Sequence, residues 1–301
     1  VKSPWISALR SVALTVPDLA AAETFYTQVW KLAIAHRTDE AIYFHGSGTD
    51  HHVLSLHQAA GAPQIRKVTL RARSLEALSE IEEVTRSAGG AVVRSIAPAT
   101  DPAAGTSLVV IDPHGRRFDI VFGDLLREAD SAQAPDQPIR LAHAVLNSHD
   151  VAQTQWFMEK ALGFILADRT RIMAFMNCDA DHHTIAVGDT DNDALNHIAF
   201  LMPTLDAVMR GGGRMKDAGH DIHWGPGRHG PGDNAFNYFI DPFGIVIEYT
   251  AEVEQIDDSY QPGQPADWTW PPGRIDQWGI AIAPTPRLKE AQRGVFFSST
   301  F

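Results

Sequence analysis

Cysteine occurs once in this 301-residue chain, at Cys178, so no intrachain disulfide can form and the fold must hold by its core. A single thiol fits a reducing compartment, and the expectation is a cytoplasmic protein. Long apolar runs are missing as well. Nothing approaches the ~18 consecutive residues needed to cross a bilayer. The opening "VKSPWISALRSV" lacks the basic start, apolar stretch and cleavage site of a secretory leader. Basic residues are in deficit, 25 Lys and Arg against 37 Asp and Glu, for a formal charge of −12. The local basic groups "HGRR" and "RAR" are short, so neither nucleic acid nor a membrane is the expected partner, and a small molecule is. The motifs G-x-S-x-G, C-x-x-C and H-E-x-x-H do not occur, which removes serine-hydrolase, zinc-ribbon and zincin readings. The glycine-rich "GPGRHGPGDN" lacks the Lys-Ser/Thr ending of a P-loop, and its prolines remove backbone donors, so it is no phosphate cradle.

What is present is a globular composition, 44% hydrophobic and 21% charged, and a repeat. "DHHVLSLH" (50–57) is echoed by "DHHTIAVG" (181–188), "KVTLRARSLEAL" (67–78) by "HIAFLMPTLDAV" (197–208), and "DPHGRRFDI" (112–120) by "DPFGIVIEY" (241–249). The copies lie 129 to 131 residues apart and keep their order. The chain therefore divides into an N-terminal domain (1–125), a linker (126–138), a C-terminal domain (139–253) and a tail (254–301).

Each half divides again. "IRLAHAVLN" reads as a strand and "DVAQTQWFMEKAL" as a helix capped by Asp150. Strand-like runs follow at "FILADR", "RIMAFMN" and "HTIAVG". The pattern restarts with "LNHIAFLM", a helix opening at Thr204, and strands at "DIHW", "AFNYFI" and "GIVIEY". That is βαβββ twice per half, an α+β protein of four modules. The second helix of the C-terminal half carries "GGG" at 211–213, each glycine costing up to ~1 kcal/mol against alanine, and is expected to be bent or short there. The proline- and tryptophan-bearing tail is expected to wrap the body, contact a neighbouring subunit or cover a site.

The repeat lets one half serve as the control for the other. His143, His197 and Glu248 sit on apolar strands of the C-terminal half, where the N-terminal half has Ser11, Lys67 and Asp119. The fold-determining Asp-Pro-x-Gly turns occur in both halves, whereas the His/His/Glu set occurs in one. A lone buried glutamate is costly unless it is paired or bound to a cation. Two imidazoles and a carboxylate can occupy one face of an octahedral ion and leave positions open for substrate and dioxygen. Without thiolate the set suits Fe(II) or Mn(II) best.

Other residues are less decided. His183, placed on the last strand of the third module with His182 on the opposite face, could move a proton at a metal-bound substrate. His51 and His52 occupy the matching positions of the other half, so the residues alone leave a structural role equally open. His229 is read as directed inward from a loop over the pocket, against a solvated histidine. Tyr238 is either a phenol donating to a metal-bound oxygen or core. His36, His45, His57, His114, His149, His220 and His223 form no second constellation.

This arrangement resembles the extradiol catechol dioxygenases of the vicinal oxygen chelate superfamily across essentially the whole chain. Its most specific part is the closing signature "GPGRHGPGDNAFNYFIDPFGIVIEYTAEV". The resemblance implies two homologous domains of paired βαβββ modules, with the metal ligands His143, His197 and Glu248 in the C-terminal domain only. It places His183 on the acid–base histidine, His229 on a histidine beside the metal sphere, and Tyr238 on the family's tyrosine. It implies ring cleavage of a small aromatic diol by O2 at Fe(II), with Mn(II) as the alternative, in a homo-oligomer. The tail pattern "TW…RIDQWG" is similar to members that hold an acidic side chain with arginines. Here Trp224 and Ile275 stand at the best-matching positions, which favours a less polar substituent, with Arg274 adjacent. Two alternatives keep the fold: a non-redox metal enzyme of isomerase or thiol-transferase type, and a metal-free ligand-sequestering protein.

Overall fold

Four helices open in the same way. Asp18, Ser74, Asp150 and Thr204 each accept a hydrogen bond from the backbone N–H three residues on, satisfying an amide the helix leaves free. Each such helix follows one strand and precedes three, and the computed structural model describes residues 2–130 and 134–299 in these terms. Part of the linker, 131–133, lies outside the described residues.

The first module runs β1 (Ile6–Val16), α1 (Leu19–Thr24) widening into a π turn at Phe25–Val29, β2 (Ala33–Arg37), β3 (Ala41–His45) and β4 (Leu54–Gln58). The second runs β5 (Ile65–Ala72), α2 (Leu75–Thr85), β6 (Ala91–Pro98), β7 (Thr106–Ile111) and β8 (Arg117–Phe122). The third is β9 (Arg140–Ser148), α3 (Val151–Ala161), β10 (Ile165–Arg169), β11 (Met173–Asn177) and β12 (Ile185–Asp189). The fourth is β13 (Leu195–Leu201), α4 (Leu205–Asp217), β14 (Trp224–Arg228), β15 (Ala235–Ile240) and β16 (Val246–Ala251). The tail carries one short helix, α5 (Pro286–Ala291). Among the described residues no helix is long and apolar enough to cross a membrane.

The two halves build the same eight-stranded sheet, β2-β3-β4-β1-β5-β8-β7-β6 and β10-β11-β12-β9-β13-β16-β15-β14. In each, the first strands of the two modules pair antiparallel at the centre and each pairs parallel with the last strand of its own module. The expected α+β architecture of duplicated βαβββ modules is the one found.

Two local expectations need correction. Helix α4 runs uninterrupted through "GGG". A β-carbon on Gly211 would stand 2.7 Å from the Tyr249 ring, and one on Gly212 2.9 Å from the Asn237 amide. These glycines let the helix lie close on the sheet, and the packing offsets their propensity cost. The strand expected at "DIHW" lies three residues later, as β14. It is an edge strand that takes up part of the glycine-proline segment, where Pro226 is tolerated because one side of the ladder is unpaired.

The halves meet through their turns. Trp30 of the N-terminal half stacks on Tyr249 of the C-terminal half with centroids 3.7 Å apart and planes 7° from parallel. The Tyr249 hydroxyl donates to the Trp30 carbonyl at 2.8 Å, and the Tyr26 hydroxyl donates to Asp241 at 2.8 Å. Such aromatic pairs contribute roughly 0.5–1.5 kcal/mol beyond their burial. On the other side the fully buried Arg116 reaches across to the Asn147 carbonyl (2.6 Å) and to Asp193 (2.8 Å).

Candidate metal centre and its cavity

Strand register writes the site as one row. His143 on β9 faces Ala199 on β13, Ala199 faces Glu248 on β16, Glu248 faces Tyr238 on β15, and Tyr238 faces Trp224 on β14. His197 lies two residues before Ala199 on the same strand and so shares its face. Buried Ala199 leaves open the space between the ligand-bearing neighbours. The Nε2 atoms of His143 and His197 each lie 3.2 Å from Glu248 Oε2. One donor atom from each of the three residues fits within a 4.8 Å span, and all three side chains are buried.

The residues fit a divalent ion. Glu248 Oε1 is buried with no hydrogen-bond partner, an exposed cost that a cation would remove. Burial opposes ionisation of Glu248, but the adjacent imidazoles outweigh it and hold the carboxyl below its ordinary value. Burial holds His197 toward its neutral, ligating form against the pull of Glu248. His197 Nδ1 lies 2.7 Å from Asn196 Oδ1, and Asn196 donates to Asn147 at 2.9 Å. Such partners orient a ligating ring. The described structure thus brings together the three residues that the asymmetry of the repeat singles out.

The N-terminal half fills the same place differently. Its row is Ser11, Thr69, Asp119, Val109 and Arg94. Lys67, at the position of His197, donates to Asp119 at 2.7 Å, and Arg117 takes the other carboxylate oxygen at 2.7 Å. Burial alone would raise the Asp119 carboxyl, yet Lys67 and Arg117 hold it below its ordinary value.

Around the C-terminal cluster stand the other expected residues. His229 Nε2 is 3.0 Å from the Tyr238 hydroxyl, which is 3.4 Å from His197 Nε2. Burial drives the His229 pKa down to about 4 and, with Glu248 nearby, pushes the Tyr238 phenol well above its usual value. His229 is directed inward, stacked on Phe236 at 4.0 Å, and its carbonyl accepts from Gln277 of the tail at 2.6 Å.

His183 needs correction in its element though not in its neighbourhood. It precedes β12 by two residues, in the turn after the Asp181 bridge, because Asp181 pairs with Gln255 of the tail before the ladder begins. His182 and His183 are consequently not on opposite faces of a strand. Their Nδ1 atoms are 3.1 Å apart, and both rings pack near Phe175. His183 lies over His143 with ring centroids 4.4 Å apart, and burial keeps it well below its ordinary pKa. Gly232, at φ +82, lets the 229–233 loop approach; a β-carbon there would meet His183 at 2.9 Å.

Some participants were not visible in the sequence. His182 Nε2 lies 2.9 Å from Asp168, which also accepts from the Tyr260 hydroxyl (3.1 Å) and the Gly263 amide (2.6 Å) of the tail. A cavity of about 570 Å³ opens from the cluster, walled by Val145, Met173, Phe175, Trp224 and the tail residues Trp268, Trp270 and Ile275. The tail therefore closes one side of the cavity. Arg171 stands at its rim, whereas Arg274 is exposed and beside Gly279. The expectation that the remaining histidines form no constellation is also overturned: His114, His149 and Asp193 bring donor atoms within 4.8 Å of one another. They come from three separated segments, so no spacing announced them.

A duplicated βαβββ sheet with a buried His/His/Glu cluster in one half defines a class, and comparison with known proteins agrees. Residues 8–120 and 140–249 each match the Glyoxalase/Bleomycin resistance protein/Dioxygenase superfamily, and the chain belongs to that superfamily. Among individual relatives, metapyrocatechase 2 of Cupriavidus necator is 30% identical over 201 residues, covering 64% of this chain and 58% of that protein. The manganese-dependent 2,3-dihydroxybiphenyl 1,2-dioxygenase of Geobacillus genomosp. 3 is 22% identical over 262 residues, 79% of this chain and 82% of that one. The crystal structure of a Mn(II)-bound glyoxalase from Novosphingobium aromaticivorans superimposes with a TM-score of 0.86 at 32% identity, covering 94% of both chains. The chain thus spans under two thirds of the first of these relatives.

Proposed function

We propose that the protein is an extradiol dioxygenase, opening the ring of a substituted catechol beside its two hydroxyls with both atoms of O2. The observation that carries this reading is the row from His143 to Trp224, with His197, which faces three buried donors into a cavity large enough for an aromatic ring. The names of the metapyrocatechase and dihydroxybiphenyl dioxygenase relatives support it.

His143, His197 and Glu248 would hold the ion, Fe(II) with Mn(II) as the alternative, since their nitrogen and oxygen donors suit both. Bound there, it supplies Lewis acidity that lowers the pKa of the substrate hydroxyls, and an electronic link between ring and O2. The chain's own residues then divide the work. Asp168 accepts the Nε2 proton of His182, which leaves His182 Nδ1 a lone pair for the Nδ1 proton of His183. This order of hydrogen bonds, assigned from the network, makes Nε2 of His183 the basic nitrogen. Kept neutral by burial, His183 takes a proton from a substrate hydroxyl at Nε2 and returns it later in the cycle. Tyr238 and His229 orient the substrate oxygen nearest them by hydrogen bonding. Trp268, Trp270 and Ile275 exclude water and place apolar surface where a ring substituent would lie, favouring substrates without an acidic side chain.

A second reading is favoured by one observation, the glyoxalase name of a structure 32% identical over 94% of the chain. It makes the protein a non-redox metal enzyme. The test separates the two. Protein purified without air is assayed for iron and manganese, mixed with a panel of substituted catechols and then exposed to O2. A yellow ring-opened product with one equivalent of O2 consumed is expected. Metal bound without O2 uptake on any catechol would overturn the reading in favour of the second.

A further inference from the structure

We infer that the seam between the two halves carries a second metal site, formed by His114, His149 and Asp193 and suited to a borderline divalent ion such as Zn(II). The sister seam is the control for this site, as the sister half is for the first. Duplication gives the molecule two related seams: the Asp-Pro-x-Gly turn of the N-terminal half against the start of the C-terminal half, and the reverse. His114 occupies the third position of the first turn, and Phe243 the same position of the second. His149 corresponds to Pro17, each just before the capping aspartates Asp150 and Asp18. Asp193 corresponds to Pro63: the Asn147 amide bonds the carbonyl of the residue after Asp193, as the Thr15 amide bonds that of the residue after Pro63, both at 2.8 Å. One seam thus has three metal-ligand side chains where the other has a phenylalanine and two prolines. Phe243 and Pro63 line an apolar cavity together. Neither the turn nor the helix start requires a histidine.

The local chemistry agrees with an ion. One donor atom from each residue fits within 4.8 Å of the others. The His114 and His149 rings meet edge to face with centroids 4.5 Å apart. His114 Nε2 is buried and has no hydrogen-bond partner. Arg116 takes Asp193 Oδ1 at 2.8 Å, anchoring the carboxylate and leaving Oδ2 as the donor, 2.8 Å from His149 Nδ1. An incoming ion replaces that last hydrogen bond, with the imidazole moving its proton to Nε2. Two imidazoles and one carboxylate fill three tetrahedral positions of Zn(II), and water fills the fourth. Because His114 belongs to one half and the other two residues to its sister, the ion would fasten the halves together. The site stands apart from the reaction proposed above, so either can fail without the other.

The test is metal stoichiometry. Untagged protein is dialysed against Zn(II), freed of loose metal and analysed for total metal per chain, beside His149→Ala and His114→Phe. His149 is 53% exposed, so its truncation leaves the fold intact, and His114→Phe copies the residue of the sister seam. Two ions per wild-type chain and one in each variant are expected, with Zn(II) raising the melting temperature of wild type more than that of His149→Ala. The same metal content in wild type and His149→Ala, whether one ion or two, would overturn the site, whereas a wild type holding one ion more than the variant supports it even if the His143, His197 and Glu248 cluster stays empty.

Discussion

His183 has its character decided by residues it does not share a strand with. In the hydrogen-bond order proposed above, Asp168, His182 and Tyr260 direct the His183 proton to Nδ1, and Gly232 gives the ring room. Under the proposed reaction, His183→Ala should lower turnover by about 10²–10⁴-fold while metal content stays near one ion at the cluster. Parallel kinetics and metal analysis check this, and near-normal turnover would remove the acid–base assignment. His143→Ala, His197→Ala and Glu248→Ala should lose metal and activity together. The sequence made the three ligands legible because the sister half shows Ser11, Lys67 and Asp119 at the same positions. It could not show Asp168 or Tyr260, since Asp168 reaches His182 from β10 through sheet pairing and Tyr260 reaches it from the tail.

In helix α4, contact with the sheet reweights local propensity. Read as a string, "GGG" is three equal defects, but packing makes them unequal. Gly211 lies against the Tyr249 ring, while Gly213 has nothing within 4 Å of where a β-carbon would be. Gly211→Val should therefore destabilise by roughly 1–3 kcal/mol through overpacking. Gly213→Ala should stabilise by up to ~1 kcal/mol through helix propensity. Denaturant titrations of the two variants, moving in opposite directions, would verify that the helix is held by contact with the sheet. The βαβββ order and the helix starts at Asp150 and Thr204 were legible because caps and strand alternation are local. The shift of β14 and the late start of β12 were not, since both depend on pairing with distant segments.

A cluster of buried imidazoles ties the stability of the protein to pH. In the unfolded chain each takes up a proton below ~6.5. In the folded chain His229 waits until about 4, and His183 and His197 are lowered as well. Over that window the unfolded state binds more protons at these three rings, so they lower stability as pH drops from ~6.5 toward 4, against the opposite contribution of Asp241, which burial raises to about 6. Glu248, held low, acts in the same direction as acid is added. Melting temperatures of the metal-free protein should hold between pH 7.5 and ~6.5 and decline from there to pH 4.5, and His229→Asn should flatten that decline. A flat profile in the parent protein would mean that these rings are not buried as described.

The ion pair of the N-terminal half has a consequence beyond structure. The Lys67 ammonium stands where the sister half offers an imidazole, donating to the carboxylate that answers Glu248. It is a cation tethered by its own side chain, which no chelator can extract and no competing ion can readily displace. The repeat gives this protein two related positions on equivalent sheets. By filling one with its own ammonium, the chain leaves a single position, that of His143, His197 and Glu248, for the ion on which the proposed reaction depends.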